Sequence, residues 1–201
     1  MGRKNGIMGD GSNFDCRFIP DYDELKKKVD SLRELGYKIV LTQGVYDLIH
    51  EAHYAYLEHA RSFGDVLIVG VDSDELTKKR KGPNRPIVLE KERLLLLVHV
   101  RHVDIVTLRH AHDKLEYLVE FIHPDVLVLS TSTGDISKED HAYLEGHCGD
   151  LKVLKAKAAP EETSSTARIR RIILQGLADA EESIRGKIAE IFAELRNKAG
   201  S

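Results

Sequence analysis

Short apolar segments alternate along this chain with segments of helical periodicity. Five of them have the length and composition of strands, namely "KIVLT", "DVLIVGVDS", "VDIVTL", "PDVLVLS" and "LKVLKA". The amphipathic stretch "DYDELKKKVDSLRELGY" precedes the first strand, and its Gly36 is suited to ending a helix. Strands that are almost wholly apolar are typical of parallel sheets covered on both faces. The alternation predicts an α/β fold in which right-handed βαβ crossovers build one parallel sheet.

The pattern divides the chain into three parts. Residues 1–20 show no periodicity and predict a flexible tail, residues 21–175 carry the alternation, and residues 176–201 predict a C-terminal helix. Within the main domain, "KKRKGPNRP" is predicted as a basic loop, and a late helix starts at "SSTARIRRIILQ" before the separate helix "DAEESIRGKIAEIFAELRNK". The apolar stripe of that last helix fits either packing on its own domain or a dimer seam.

Composition narrows the classes of partner. The net charge is −3, so no overall basic field favours nucleic acid as the partner. No apolar run is long enough to span a bilayer, and the N-terminus lacks a signal-peptide core. Cys16 and Cys148 lie far apart and in no metal-binding spacing. We therefore expect a reduced, cytoplasmic protein that binds neither membrane nor nucleic acid.

His50 and His53 follow the first strand, which is predicted to end at Thr42. Ligands of open parallel sheets bind beyond the carboxyl ends of the strands. Gly44 permits a close backbone approach to a ligand there, and a helix start supplies N–H groups and a positive dipole end for a phosphate. Two histidines at this spacing are also common as ordinary helix residues. A shared zinc ion is a third alternative, but no further Cys or His has a suitable spacing.

Two further segments suit anions. "TSSTARIRR" offers Ser164, Ser165 and Thr166 as helix caps whose hydroxyl and amide groups can meet a phosphate. The basic loop contributes Lys78, Lys79, Arg80, Lys81 and Arg85. Each segment has a plain alternative, since the first also fits a purely structural cap and the second a solvated loop. Together with the histidines they predict a polyphosphate ligand.

The stretch "TQGVYDLIHEAHYAYLEHARSFGDVLIVGVDSDELTKKRKGPNRPIVLEKERLLLLVHVRHVDIV" resembles the cytidylyltransferase-like nucleotidyltransferases, and within them the heptose 1-phosphate adenylyltransferase and glycerol-3-phosphate cytidylyltransferase branch. That family has an HxGH motif after its first strand, an arginine-led helix after a basic loop and a late Ser/Thr-Thr helix start. The resemblance runs from Tyr22 to Ile173. It implies a Rossmann-like three-layer sandwich that transfers a nucleoside monophosphate from CTP or ATP to a phosphorylated sugar, polyol or related acceptor. Pyrophosphate would be released, with Mg²⁺ accompanying the NTP, and a homodimer is expected.

The resemblance also assigns roles to residues of this chain. His50 and His53 would stabilise charge on the NTP phosphates in the transition state, and Lys81 and Arg93 would lie near the phosphates as further catalytic residues. The residues implied to bind the nucleotide are Thr42, Gln43, Gly44, Val45, Tyr46, Asp47, Ala52, Ser164, Ser165 and Thr166. The residues implied to bind the acceptor are Asp72, Lys81 and Arg85. No residue is implied to bind a metal directly.

Three departures from the family pattern bear on activity. Ala52 replaces the glycine of HxGH, Gln43 replaces the asparagine that usually follows the first strand, and "VLSTSTGD" lacks the lysine and Gly-Gly-Asp usual in the heptose branch. They leave two alternatives to the active transferase. One is a nucleotide-binding relative with weak or no turnover, and the other is an adenylyltransferase for a different acceptor.

Overall fold

The computed structural model describes residues 13–111, 116–131, 138–154 and 165–199, which fall into two compact units, residues 1–158 and 159–201. Five parallel strands form one sheet: β1 Ile39–Gly44, β2 Val66–Asp72, β3 Ile105–Arg109, β4 Val126–Ser130 and β5 Asp150–Leu154. The helices of the first unit are α1 Asn13–Arg17, α2 Tyr22–Glu34, α3 Glu51–Arg61, α4 Asp74–Lys81, α5 Glu90–Val98, α6 Tyr117–Ile122 and α7 Lys138–Glu145. The second unit contains α8, Ser165–Ala199.

The strand order is β3-β2-β1-β4-β5, so β1 is the central strand. Its side chains alternate between two apolar clusters, because successive residues of a strand point to opposite faces. Val40 packs in one cluster with Leu57 of α3 and Leu97 of α5. Leu41 packs in the other with Leu25 of α2. The sheet with helices on both faces is the Rossmann-like three-layer α/β sandwich that the sequence predicts, and α8 supplies the C-terminal helix.

The chain enters the fold earlier than the sequence predicts. Residues 1–20 were expected to form a flexible tail, but α1 occupies residues 13–17, Phe18 bridges to Val106 of β3, and Ile19 is buried. Ile19 also donates its backbone N–H to Val106 O at 2.9 Å. The aromatic pair Phe14 and Phe18 supplies the apolar surface that holds this segment. Too few residues are involved for a helical period to show in the sequence.

The first four residues of the predicted basic loop, 78–81, belong to a helix. Ser73 caps α4 by accepting a hydrogen bond from Leu76 N, and the helix continues to Lys81 before Gly82, whose φ is +97°, ends it. Only Leu76 and Thr77 of this helix are buried. The charged residues that follow them therefore show no apolar positions at helical spacing in the sequence. A loop was the wrong prediction for residues 78–81.

The two late helices predicted from the sequence are one continuous helix, α8. Gly176 lies inside it with open space where a Cβ would be. A glycine in a helix interior costs about 1 kcal/mol relative to alanine, but it does not end the helix as proline would. The second compact unit begins at residue 159, and the predicted domain limit at 175/176 stays a prediction.

Candidate active site

The turn between β1 and α3 has an unusual backbone. Tyr46 and Leu48 have φ of 54° and 48°, in the left-handed region that residues with side chains rarely adopt. The chain then straightens at His50, whose φ and ψ are −146° and 175°, and α3 begins at Glu51. Left-handed non-glycine residues persist only where their surroundings hold them, and they are enriched at functional sites. The contacts that hold this turn therefore matter to the site.

Asp47 supplies one set of the contacts that hold this turn. Its carboxylate accepts hydrogen bonds from Arg85 Nη1 at 2.6 Å and from the backbone N–H groups of Ile87 at 3.0 Å and Val88 at 2.9 Å. The side chain of Asp47 is only 7% exposed. Asp47 thus ties the turn to the segment between α4 and α5, and Arg85 is part of that tie. For both residues, contact with a ligand remains a prediction.

Gly44, at the end of β1, makes room for a side chain of the protein. A Cβ built there would lie 3.2 Å from the ring of Tyr46. The Tyr46 ring is buried and its centroid lies 5.7 Å from that of the His53 ring. Tyr46 therefore lies close to Gly44 and in turn packs against His53, and the close approach of a ligand to Gly44 stays a prediction. The first strand also reaches Gly44, two residues beyond the predicted end at Thr42.

His50 and His53 form a pair at the first turn of α3. Their ring centroids are 4.1 Å apart, with 50° between the ring planes. His50 is the N-cap residue and is buried, while His53 is half-buried two positions inside the helix from Glu51. Both rings lie where a helix start presents N–H groups and the positive end of its dipole. The pair follows the central strand, at the carboxyl edge of the sheet.

A backbone hydrogen bond sets the tautomer of His53. The N–H of His50 donates to His53 Nδ1 at 3.3 Å. A ring nitrogen that accepts a hydrogen bond carries no proton, so the proton of the neutral His53 ring lies on Nε2. The arrangement therefore turns Nε2–H into the donor of His53, on the ring edge opposite the helix cap.

Tyr56 fixes α3 to the sheet. Its hydroxyl lies 2.7 Å from Thr42 Oγ1 of β1 and donates to Val128 O of β4 at 3.1 Å. Burial raises the pKa of Tyr56 to about 12, with the Thr42 hydrogen bond opposing that shift, and burial also raises the pKa of Tyr46 well above its usual value. Both phenols stay protonated at neutral pH. Thr42 is fully buried, so its role in this structure is to anchor α3.

Arg93 joins three segments around the site. Its guanidinium donates to Val45 O at 2.6 Å, to Asp72 O at 2.8 Å and to Asp74 Oδ1 at 2.7 Å, and its Nε donates to Val88 O at 2.9 Å. The side chain has no exposed surface. These contacts hold the β1–α3 turn against the end of β2. The geometry favours a positioning role for Arg93 over direct contact with the triphosphate.

Asp72, at the end of β2, forms ion pairs with two arginines. It is fully buried between two arginines, with Oδ1 2.7 Å from Arg109 Nη1 and Oδ2 2.5 Å from Arg80 Nη1. This enclosure gives Asp72 a structural role in holding the arginines, and the contact with the acceptor that the resemblance implies stays a prediction. The nearby cations with exposed side chains are Lys78, Lys79 and Lys81, the last residue of α4.

The remaining predicted site residues lie as follows. Ala52 is half-buried in the first turn of α3, beside the histidines. Gln43 is half-buried in β1, and its Oε1 has no hydrogen-bond partner among the described residues. Ser165 and Thr166 begin α8 in the second unit, and Ser164 lies outside the described residues. The stretch "VLSTSTGD", which lacks the lysine usual in the heptose branch, covers residues 128–135, and its second half, 132–135, also lies outside the described residues.

The described residues contain neither a cluster of metal ligands nor a helix suited to a bilayer. Across residues 13–111, 116–131, 138–154 and 165–199, no three His, Cys, Asp or Glu side chains group closely enough to hold a metal ion. In the same part of the chain, no helix combines the length and apolar character needed to cross a bilayer.

Sequence reasoning missed the residues that support the histidines. Tyr56, Arg109 and Asp74 were not singled out from the sequence. Tyr56 lies one helical turn after His53, and this spacing is the signal that could have indicated a role for it. No local pattern pairs Asp72 with Arg109, because that contact depends on the register of β2 with β3.

The sequence and the fold are similar to those of known proteins. The Cytidylyltransferase-like family model matches residues 41–172. The bifunctional proteins HldE of Aliarcobacter butzleri and Edwardsiella ictaluri are 36% and 38% identical over 76% and 78% of this chain. The chain spans only 31% and 32% of those relatives.

Two solved structures agree on the fold. The lipopolysaccharide core biosynthesis protein of Thermoplasma volcanium GSS1 is 27% identical, with a TM-score of 0.50 over 60% of this chain and 98% of its own. The pantoate-beta-alanine ligase of Francisella tularensis is 14% identical, with a TM-score of 0.53 over 77% of this chain and 72% of its own, and supports the fold alone. The family match covers most of the chain and includes the histidine pair. This chain therefore belongs to the cytidylyltransferase-like family, a family of nucleotidyltransferases.

Proposed function

We propose that this protein transfers a nucleoside monophosphate from an NTP to a small phosphorylated acceptor and releases pyrophosphate. The observation that carries this proposal is the histidine pair at the start of α3, with ring centroids 4.1 Å apart beyond the central strand. Helix starts with free N–H groups favour phosphates. Membership of the cytidylyltransferase-like family supports the same reaction class.

The reaction needs positioning and charge stabilisation more than covalent help. A phosphate oxygen of the acceptor attacks the α-phosphorus, a new P–O bond forms, and the bond from that phosphorus to the bridging oxygen of pyrophosphate breaks. Negative charge builds on the α-phosphoryl oxygens and on the leaving group. His50 and His53 donate hydrogen bonds to these oxygens, and fixed donors of this kind are typically the largest catalytic contribution. No covalent enzyme intermediate is required.

The supporting contacts keep the donors in place. Tyr46 packs against the His53 ring, and Tyr56 anchors α3 to β1 and β4. Arg93 holds the turn that precedes His50. Donors that are already oriented need no reorganisation when charge develops, and small misplacements of a reacting group are costly in rate.

We propose that Mg²⁺ arrives bound to the triphosphate of the NTP. The described residues contain no cluster of metal ligands, and the carboxylates of Asp47 and Asp72 are paired with arginines. Magnesium prefers phosphate oxygens and water with few protein carboxylates, so this donor set fits it. The bound ion would neutralise charge on the phosphates. Lys81 and the hydroxyl groups of residues 164–166 remain our candidates for further phosphate contacts.

A sugar phosphate is the acceptor that we favour. The resemblance of residues 42–106 to heptose 1-phosphate adenylyltransferases points to a sugar 1-phosphate and to ATP, and the structural relative from Thermoplasma volcanium is a lipopolysaccharide core biosynthesis protein. Lys78, Lys79 and Lys81 give this edge of the first unit positive charge that suits a phosphorylated acceptor. The cytoplasmic setting stays a prediction.

A matrix of nucleotides and acceptors tests the proposal. Pyrophosphate release would be followed with ATP, CTP, GTP and UTP against sugar 1-phosphates, polyol phosphates and a control without acceptor. We expect release only with an acceptor present, and most with ATP and a sugar 1-phosphate. Nucleotide binding without release under any combination would favour the non-catalytic relative, and consumption of an unrelated acceptor would favour a different adenylyltransferase.

A further inference from the structure

The helices α4 and α5 begin beside one another, and each supplies a carboxylate to the start of the other. The backbone N–H of Asp74, the first residue of α4, donates to Glu90 Oε2 at 2.7 Å. The backbone N–H of Glu90, the first residue of α5, donates to Asp74 Oδ1 at 2.9 Å. Each bond satisfies an N–H that its own helix leaves without an intrahelical partner. We call this pair of hydrogen bonds the reciprocal cap.

Electrostatics favour the reciprocal cap. The start of a helix carries the positive end of its dipole, equivalent to about half an elementary charge, so each carboxylate lies where negative charge is stabilised. Asp74 Oδ1 also accepts a hydrogen bond from Arg93 Nη2 at 2.7 Å. The side chain of Asp74 is 21% exposed, and Glu90 is half-buried. Hydrogen bonds to ionised groups are stronger than those between neutral groups, and partial burial reduces their screening.

The position of α4 depends on polar contacts because the helix buries little apolar surface. Of its eight residues, only Leu76 and Thr77 are buried. A helix of about two turns is marginal unless tertiary contacts hold it. Arg80, in the last turn, pairs with Asp72, and the reciprocal cap holds the first turn. The basic residues of that last turn are Lys78, Lys79, Arg80 and Lys81.

The chain folds back to bring the two helix starts together. The eight residues of α4 rise about 12 Å, and residues 82–89 return over that length to Glu90. The return segment is also the one that Asp47 holds through its hydrogen bonds. The reciprocal cap therefore links the basic helix to the segment that contacts the turn before His50.

We propose that Asp74 and Glu90 are positioning residues for the phosphorylated acceptor. Their reciprocal cap sets where α4, and with it Lys81, lies relative to the histidine pair. This inference rests on the proposed function, in which the lysines of α4 suit the phosphate of the acceptor. Neither carboxylate needs to contact the substrate, because each acts through the helix start of the other.

Steady-state kinetics of Glu90 variants test this role. Glu90→Ala removes the group that accepts the N–H of Asp74 and should raise KM for a sugar 1-phosphate about tenfold, as expected for the loss of one hydrogen bond to a charged group. KM for ATP should stay unchanged. Glu90→Gln keeps an oxygen that can accept the N–H and should restore most of the loss. Glu92→Ala removes an exposed carboxylate from the same turn of α5 and should follow the wild type.

A double variant tests whether Glu90 acts through α4. If Glu90 serves to place Lys81, then Lys81→Ala has already lost most of what Glu90 contributes. Adding Glu90→Ala to Lys81→Ala should therefore raise KM for the sugar 1-phosphate by less than about twofold. A further rise of about tenfold in that background would show that the two residues act independently and would overturn the proposal.

Exchange of backbone amide hydrogens tests the reciprocal cap without any substrate. In Glu90→Ala the amide of Asp74 should exchange about tenfold faster than in the wild type, while the amide of Ile68, in the buried strand β2, should keep its protection. Unchanged exchange at Asp74 would overturn the cap as the cause of any change in KM.

The kinetic outcomes separate this proposal from the proposed function. A wild type that transfers no nucleotidyl group to any acceptor would contradict the proposed function, and the role toward the acceptor would fall with it. An active wild type whose KM for the sugar 1-phosphate is unaltered by Glu90→Ala would overturn the positioning role alone. A lower kcat in Glu90→Ala with both KM values unchanged would indicate a loss of folded enzyme and would also overturn it.

Discussion

The backbone N–H of His50 donates a hydrogen bond to Nδ1 of His53, so the first of the two histidines fixes the tautomer of the second. The same contact serves the helix start, because it satisfies an N–H that the helix leaves without an intrahelical partner. The Nδ1 edge of the His53 ring therefore serves the helix start, and the Nε2 edge is the one that our proposed function assigns to the phosphates. Substitutions can separate the two edges.

His53→Asn keeps an acceptor near the position of Nδ1 and removes the Nε2–H donor. We expect its melting temperature to stay near that of the wild type while turnover falls by about 10²–10³, the usual loss for one transition-state donor. His53→Gln should show the reverse pattern, with a weaker helix start by about 0.5–2 kcal/mol and a smaller loss of turnover. His53→Asn with normal turnover would remove Nε2 from the mechanism. His50→Ala should also lower turnover more than it raises KM.

Ala52 tests the departure from the HxGH pattern. Alanine favours a helix over glycine by about 1 kcal/mol, and Ala52 lies in the first turn of α3. Ala52→Gly should therefore unfold at a slightly lower temperature and keep equal or higher kcat/KM, since a methyl group beside the nucleotide is removed. Thermal melts and steady-state rates would be measured together. A large loss of activity would show that the methyl group takes part in substrate recognition.

The raised pKa of Tyr56 predicts how the free energy of unfolding changes at alkaline pH. Burial raises the pKa of Tyr56 from 10 to about 12 in the folded protein. A raised folded pKa means that the contribution is fully present below pH 10 and is lost as the pH rises from 10 to 12, by about 1.4 kcal/mol per pH unit at most. Tyr56→Phe should therefore have a flatter dependence of unfolding free energy on pH in that window. Tyr54→Phe, on an exposed tyrosine of the same helix, is the matched control and should follow the wild type.

A substitution of Asp72 distinguishes a structural role of this residue from a role in binding the acceptor. Asp72→Asn leaves the buried Arg109 without its carboxylate, and breaking a buried pair by removing one partner costs about 3–5 kcal/mol. Asp30→Asn, in the exposed pair with Lys26, should cost under about 1 kcal/mol. Denaturant unfolding would compare the two. A stable Asp72→Asn protein with a raised KM for the acceptor would instead support the role that the sequence assigned.

Local patterns predicted the elements of this fold but not the contacts between them. The apolar strands around Val40 and Leu67 were predictable because strands with covered faces carry continuous apolar runs. The histidine pair was predictable because it follows such a strand. The enclosure of Asp72 by Arg80 and Arg109 was not predictable. It depends on the register of β2 with β3 and on α4, a helix whose charged sequence shows no apolar periodicity.

The left-handed conformation of Tyr46 also could not be predicted from the sequence. Residues with side chains rarely adopt such a conformation, and here the ion pair between Asp47 and Arg85 helps to hold it.

The contribution of residues 164–166 to nucleotide binding stays a prediction. Replacing Thr166 with Val should weaken NTP binding with little change in melting temperature if that prediction is correct, and a lower melting temperature with unchanged affinity would mark a structural cap.

The fate of the α-phosphate is the most direct test of nucleotidyl transfer. ATP labelled at the α-phosphorus and ATP labelled at the γ-phosphorus would be incubated separately with a sugar 1-phosphate and the full chain, with the His50→Ala, His53→Ala double variant as control. We predict that the α-label appears in the sugar product, that the γ-label appears in pyrophosphate, and that the double variant forms neither product at a comparable rate. Appearance of the γ-label on the sugar, or undiminished transfer by the double variant, would contradict the account.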